Sequence, residues 1–168
     1  MTIPPPLRPG GTVFLTAPTS PHSDSQPAAD IAAAVERLGF RAAVGASCIA
    51  PATARGYAAA PPAVRAAELN RAFADPGVDA VWCVRGGSTA GQLPPLLDAG
   101  CIAAHPKPFI GFSDVTTLHL FLQRQCGLAS FHGPTANRVL SWGEDDFSWR
   151  SLRAALSMGP CLPLENPP

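Results

Sequence analysis

Gly111-Phe112-Ser113-Asp114 is the stretch of this 168-residue chain whose residue types and order could do covalent chemistry. It stands between the short apolar run Pro108-Phe109-Ile110 and a segment, Val115 to Gln125, with the pattern of a helix. A serine at a sharp turn from a buried strand into a helix has its hydroxyl pushed out at the carboxyl edge of a sheet. The amides that open the helix point at the same spot. Gly111 relieves crowding at such a turn because it has no Cβ. This is the placement of a nucleophile for acyl transfer. The pattern is shorter than a full Gly-x-Ser-x-Gly elbow, and Ser and Asp are also favoured helix caps. A plain cap at Ser113 or Asp114 is therefore the competing reading.

A serine hydroxyl needs a base within hydrogen-bond reach and donors for the oxyanion that forms on attack. The amide of Asp114, which follows the serine, is one candidate donor. The amides of Gly86 and Gly87, in Arg85-Gly86-Gly87-Ser88, are the others, with a flexible turn as the alternative reading of the glycine pair. The base is harder to find among His22, His105, His119 and His132. His119 lies six residues beyond Ser113 on the same helix, a rise of about 9 Å, and reads as a packed helix histidine. His105 precedes a proline in a loop, and His22 sits in a polar loop. His132, at the end of a short strand, is the internal candidate, against a structural role in the turn before Gly133-Pro134. Glu144-Asp145-Asp146 reads as a solvated acidic run.

The elements that must position these residues alternate. Thr12 to Ala17 reads as a buried first strand, Ala28 to Leu38 as a helix closed by Gly39, and Phe40 to Val44 as a second strand. Pro51 to Ala60 reads as irregular. Pro61-Pro62 opens a helix over Ala63 to Ala74, and Asp75-Pro76-Gly77 ends it. Val78 to Val84 is the clearest strand. Ala90 to Asp98 reads as helical, Phe109-Ile110 as a strand into the elbow, Leu128 to Phe131 as a short strand, and Phe147 to Leu156 as a final helix. Such alternation implies an open, mainly parallel, doubly wound sheet with helices on both faces. Ligands gather at the carboxyl edge of such sheets. The loops at 17–20, 85–88 and 111–114 fall there, with His132-Gly133-Pro134 as a fourth. The stretch 159–168 carries four prolines and reads as a linker leaving a domain of residues 1–158.

Composition narrows the function classes. Twelve basic and twelve acidic residues cancel, which argues against a nucleic-acid partner. No apolar run is as long as a membrane span, and the amino terminus lacks the pattern of a secretory signal, so a cytoplasmic location is expected. The five cysteines form no Cys-x-x-Cys pair, so neither a disulfide framework nor a zinc site is expected. No Gly-x-x-x-x-Gly-Lys-Ser/Thr or Gly-x-Gly-x-x-Gly phosphate loop is present.

In order and spacing the chain resembles the amino-terminal half of LD-carboxypeptidases, the serine peptidase family that also contains microcin self-immunity proteins. The resemblance runs from about Val13 to Pro134. It rests on LTAPTS after the first strand, Gly56-Tyr57, Arg65-x-x-Glu68-Leu69-Asn70-x-Ala72-Phe73-x-Asp75-Pro76 and Val84-Arg85-Gly86-Gly87. It continues through Leu96-Leu97-Asp98, Pro106 to Thr116, Leu118-His119 and Phe131-His132-Gly133-Pro134. It implies a three-layer fold of the flavodoxin or class I amidotransferase kind. It also implies Ser113 as nucleophile, the amides of Asp114 and of Gly87 or Gly86 as oxyanion hole, and Arg85, Ser88 and His132 on the substrate side. The implied reaction, with no metal or other cofactor, is hydrolysis of the amide joining an L-centre to a terminal D-amino acid in murein peptides, during cell-wall recycling. Homodimers are common in the family.

Three departures touch the substrate side: Ser88, Thr89 and Ala90 stand where the family usually has Tyr-Gly-Ser, Gln92 where an arginine is common, and Thr135 where methionine is usual. The family's glutamate and histidine, which complete a Ser-His-Glu triad, lie in a carboxyl-terminal domain. The expectation is an amino-terminal domain, not competent alone, whose base lies beyond Pro168. The alternatives are a stand-alone α/β module binding a peptide or small ligand, and a microcin-type amide hydrolase of the same family. A glutaminase is a weaker choice, because such enzymes carry cysteine at the elbow.

Overall fold

The computed structural model describes residues 1–21, 26–49, 57–143 and 146–159. Five strands form one sheet in the order β2-β1-β3-β4-β5, and every pairing between neighbours is parallel. The strands are β1 (Thr12–Thr16), β2 (Arg41–Val44), β3 (Ala80–Cys83), β4 (Phe109–Gly111) and β5 (Phe131–His132). The helices are α1 (Ala28–Arg37), α2 (Pro62–Ala74), α3 (Ala99–Ala104), α4 (Thr116–Cys126) and α5 (Phe147–Leu156). This is the three-layer α/β architecture implied by the alternation.

Side-chain alternation along the strands feeds two cores, one on each face. Val13, Leu15, Ala80, Trp82, Val84 and Ile110 pack on one side with Ile31 and Val35 of α1 and with Leu152 and Leu156 of α5. Val81, Cys83 and Phe109 pack on the other side with Leu69 and Phe73 of α2, Ile102 of α3 and Leu118 and Leu122 of α4. All four residues of β3 are buried, because this central strand is covered on both faces. Burial raises the Cys83 thiol well above its ordinary range, which keeps it an inert core residue.

Two helix ends show how local chemistry sets the boundaries. Gly127, at φ 62°, closes α4 in the left-handed conformation that costs glycine least. Lys107 is buried and donates from Nζ to the carbonyls of Ala72, at 3.0 Å, and Asp75. It thereby satisfies the carboxyl end of α2, where a cation is favoured.

The segment Ala90 to Asp98 differs from its helical reading. It folds as two short 3₁₀ turns, Ala90–Gln92 and Pro94–Leu96, and a separate helix, α3, begins at Ala99. Pro94-Pro95 removes two backbone donors in mid-segment, and Asp98 caps α3 by accepting from the Cys101 amide at 2.9 Å. The strand placed at Leu128 to Phe131 is also revised. Leu128 forms only an isolated parallel bridge with Thr2, and β5 proper is Phe131–His132. His22, Gly56, Glu144, Asp145, Cys161 and the segment 160–168 lie outside the described residues.

Candidate active site

The strand order reverses direction between β1 and β3, the switch point where loops on either side leave a crevice at the carboxyl edge. The loops after β1 and β3 meet there. Thr19, fully buried, donates from Oγ1 to the carbonyl of Arg85 at 3.1 Å. A Cβ built on Gly87 would stand 2.7 Å from the Ser20 amide nitrogen, so only glycine fits against the β1 loop.

One strand further along, β4 ends at Gly111 and the chain turns into α4 through a 3₁₀ turn, Ser113–Val115. Ser113 sits at φ 65°, in a region that L-residues other than glycine seldom adopt, and it is exposed. A strained serine on a strand-to-helix turn is the geometry of a nucleophile elbow. Gly111 is required for it: an added Cβ would lie 2.8 Å from Val115 Cγ1 and 3.2 Å from Cys83 Cβ. Gly86 abuts the elbow directly, since a Cβ there would stand 2.9 Å from Ser113 Cβ and 3.2 Å from its Oγ. Ser113, Asp114 and Gly86 are thus brought into one corner, while Gly87 turns its open side to Ser20.

The remaining sequence-derived candidates are spread around this corner. Arg85 is exposed, with a long contact of 3.5 Å from Nη1 to the Pro21 carbonyl, and Ser88 is exposed. His132 is in register with Gly111 across β4 and β5, and its ring centroid lies 6.4 Å from that of Phe112. Phe112, His132, Gly133, Pro134 and Arg138 line an open cleft of about 380 Å³ next to the elbow. Among the described residues, none hydrogen-bonds Ser113 Oγ.

His119 is buried beneath the elbow and is not a base for Ser113. Its Nε2 lies 2.8 Å from the Gly111 carbonyl and its Nδ1 2.8 Å from Ser130 Oγ. A carbonyl only accepts, so Nε2 carries the proton and Nδ1 accepts from the serine hydroxyl. Burial lowers the imidazole below its usual range. The bond to Gly111 opposes that shift, and nearby His132 adds to it. His119 therefore works as a neutral strut under the carbonyl two residues before Ser113.

The side chains that shape the corner most have no role in the sequence reading, which uses Asp114 only for its backbone amide and Arg65 and Glu68 only as part of a motif. Asp114 reaches across with its carboxylate, and Oδ2 accepts from the amides of Thr89 at 2.7 Å and Ala90 at 2.9 Å. Arg65 of α2 is wholly buried. It donates from Nη1 to the Pro18 carbonyl at 2.5 Å and Thr89 Oγ1 at 3.1 Å, from Nη2 to Gln92 Oε1 at 2.6 Å, and from Nε to the Ala60 carbonyl at 2.7 Å. Desolvation lowers its pKa, and the charge of Asp114 opposes that shift. Gln92 suits this place because Arg65 needs an acceptor. One turn on, Glu68 is also buried and accepts from Thr16 Oγ1 at 2.7 Å, the Ser47 amide at 2.9 Å and Ser47 Oγ at 2.5 Å. Arg65 and Glu68 fasten the loops after β1, β2 and β3 to one helix. The sequence signal was the pair of charged residues three apart on an Ala-rich helix that must pack on the sheet.

Fold and corner together define a three-layer α/β domain with a serine elbow at the carboxyl edge of a parallel sheet. The sequence model of the LD-carboxypeptidase N-terminal domain matches residues 13–133, and the chain belongs to that family. The chain is 37% identical over 128 residues to the probable murein peptide carboxypeptidase of Bacillus subtilis, covering 76% of this chain and 39% of that protein. It is 49% identical over 73 residues to the murein tetrapeptide carboxypeptidase of Pseudomonas aeruginosa, covering 43% of this chain and 24% of that protein. The solved structure of the microcin C7 self immunity protein MccF in its wild-type apo state superposes with a TM-score of 0.83 at 25% identity, over 94% of this chain and 47% of that one. The chain thus matches well under half the length of these curated relatives and about half of the solved neighbour.

Proposed function

We propose that this chain is the nucleophile-bearing domain of a serine LD-carboxypeptidase acting on murein peptides, within a cytoplasmic enzyme of cell-wall recycling. The observation that carries the reading is the exposed Ser113 at φ 65°, next to Gly86 on the strand-to-helix turn. The names of the relatives support the substrate class.

In this reading Ser113 Oγ attacks the carbonyl carbon of the amide between an L-centre and the terminal D-amino acid. Its proton passes to a base, and the negative charge on the carbonyl oxygen is met by the amides of Asp114 and of Gly87 or Gly86. Collapse breaks the C–N bond, the base returns the proton to the leaving amine, and the D-amino acid departs. Water then hydrolyses the acyl-enzyme by the same route in reverse. A carboxyl-terminal domain of the family supplies the histidine and glutamate of the relay. Arg85, Ser88 and His132 face the substrate, and residues 159–168 serve as linker. The chain alone is therefore nearly inactive, since loss of the base from such a triad costs several orders of magnitude.

The test joins the chain to the carboxyl-terminal domain of a murein carboxypeptidase relative and follows D-alanine release from an L,D-tetrapeptide. Release is expected from the joined protein, with at least a thousandfold loss on Ser113→Ala, the scale seen for triad members. No release, or equal release by the variant, ends the reading. The exposed Arg85 favours a second reading, a stand-alone module that binds acidic peptides. Calorimetric titration of the 168-residue chain with murein peptides, showing tight binding without turnover even in the joined protein, would select it.

A further inference from the structure

We propose that the Asp114 carboxylate is a positioning residue for the oxyanion hole, gripping the β3 loop while its own backbone amide serves as a donor. The inference rests on the serine-peptidase reading and assigns a task to a side chain for which that reading uses only the backbone.

The donors of an oxyanion hole come from two separate segments here, the elbow and the loop after β3. Their spacing has to be held to a fraction of an ångström, because preorganised donors act without rearranging during the reaction. The loop after β3 is not held by regular structure: it leaves the strand after Cys83, and only the 3₁₀ turn Ala90–Gln92 follows before Leu93. Asp114 Oδ2 accepts from both Thr89 and Ala90 at 2.7 and 2.9 Å, charge-assisted bonds worth about twice neutral ones. Thr89 is held from its other side, where its carbonyl and Oγ1 accept from Arg65 Nη1 at 3.3 and 3.1 Å. The loop lies between a carboxylate on the elbow and a buried guanidinium on α2. Gly86, three residues upstream of Thr89, sets the closest approach, with no room for a Cβ against Ser113. Pull from Asp114 and contact at Gly86 together fix the gap in both directions.

The arrangement also explains why the loop tolerates Ser88, Thr89 and Ala90. Asp114 takes backbone amides, which any residue but proline provides. Of the three side chains only that of Ser88 is exposed and left free; Thr89 Oγ1 is engaged by Arg65, and Ala90 is buried in the core.

The test uses Asp114→Asn, which keeps shape and removes charge, and Arg65→Lys, which keeps charge and removes the planar fork. In the ¹⁵N-labelled 168-residue chain, Asp114→Asn should speed amide hydrogen exchange at Thr89 and Ala90 by about ten- to a hundredfold, as loss of a charged acceptor implies. Amides of the β1–β3 ladder should stay protected. In the joined two-domain protein it should lower kcat by about a hundredfold with KM unchanged, the scale of losing one oxyanion donor. Arg65→Lys should lower kcat in the same way by a smaller factor. Unchanged exchange at Thr89 and Ala90 overturns the grip. An active wild type whose kcat does not respond to Asp114→Asn, or responds only as far as its melting point falls, overturns the positioning role alone. A silent wild-type joined protein overturns the peptidase reading itself, while the exchange experiment still decides the grip.

Discussion

Ser113 is held at φ 65° and exposed, so the chain carries local strain at the one hydroxyl the elbow presents. A left-handed conformation costs a non-glycine residue about 1–2 kcal/mol. Ser113→Gly should accordingly raise stability by about 1 kcal/mol, after allowance for the extra freedom glycine gives the unfolded chain. For a domain of this size that is a rise in Tm of about 2–4 °C, which calorimetry can read. Gly86→Ala should do the opposite, since its Cβ would stand 2.9 Å from Ser113 Cβ. A cost of about 1–3 kcal/mol is expected from such overpacking, checked by urea denaturation. At this scale Ser113 and the glycines were legible, because an elbow has few sequence solutions and glycine marks close approach. Arg65 and Asp114 were not legible as partners. Their contacts join residues far apart in sequence, and a helix pattern shows which side chains are buried but not which loops they meet.

Helix α4 carries the consequence of the elbow downward, through His119. The imidazole is held below its usual value near 6.5 by burial, so the unfolded chain binds more protons than the folded one at pH below that value. Stability is full above about pH 6.5 and falls as the pH drops through that range. The urea midpoint should therefore decline as the pH falls below about 6.5, and decline less in His119→Gln. The six-residue spacing from Ser113 was enough to separate this histidine from a catalytic base. Other elements were less readable. The stretch 90–98 has helix-forming composition, yet Pro94-Pro95 and the two long-range anchors at Thr89 and Gln92 break it into turns. β5 begins at the last residue of the run 128–131 and continues into His132, because strand pairing depends on a neighbour that the run itself does not specify.

The whole molecule is a sheet between two separate cores. Leu15→Ala on one face and Leu118→Ala on the other should each cost about 2–5 kcal/mol, both side chains being fully buried. The sites share no partner, so a destabilised double variant should add the two costs to within about 0.5 kcal/mol. Excess coupling measured by urea denaturation would show that the sheet transmits packing strain between its faces. The doubly wound class was readable from the alternation of strands with helices, since parallel neighbours need crossovers. The strand order was not, because nothing local tells β3 to pair with β1 instead of β2.

The outer borders of that sheet bear on how the chain behaves in concentrated solution. β5 offers only Phe131 and His132 to a newcomer, and β2 begins on a charged residue, Arg41. A two-residue border on one side and a short one headed by a charge on the other deprive a foreign strand of the run of open amides it would need to zip on, which opposes self-templated growth into fibrils.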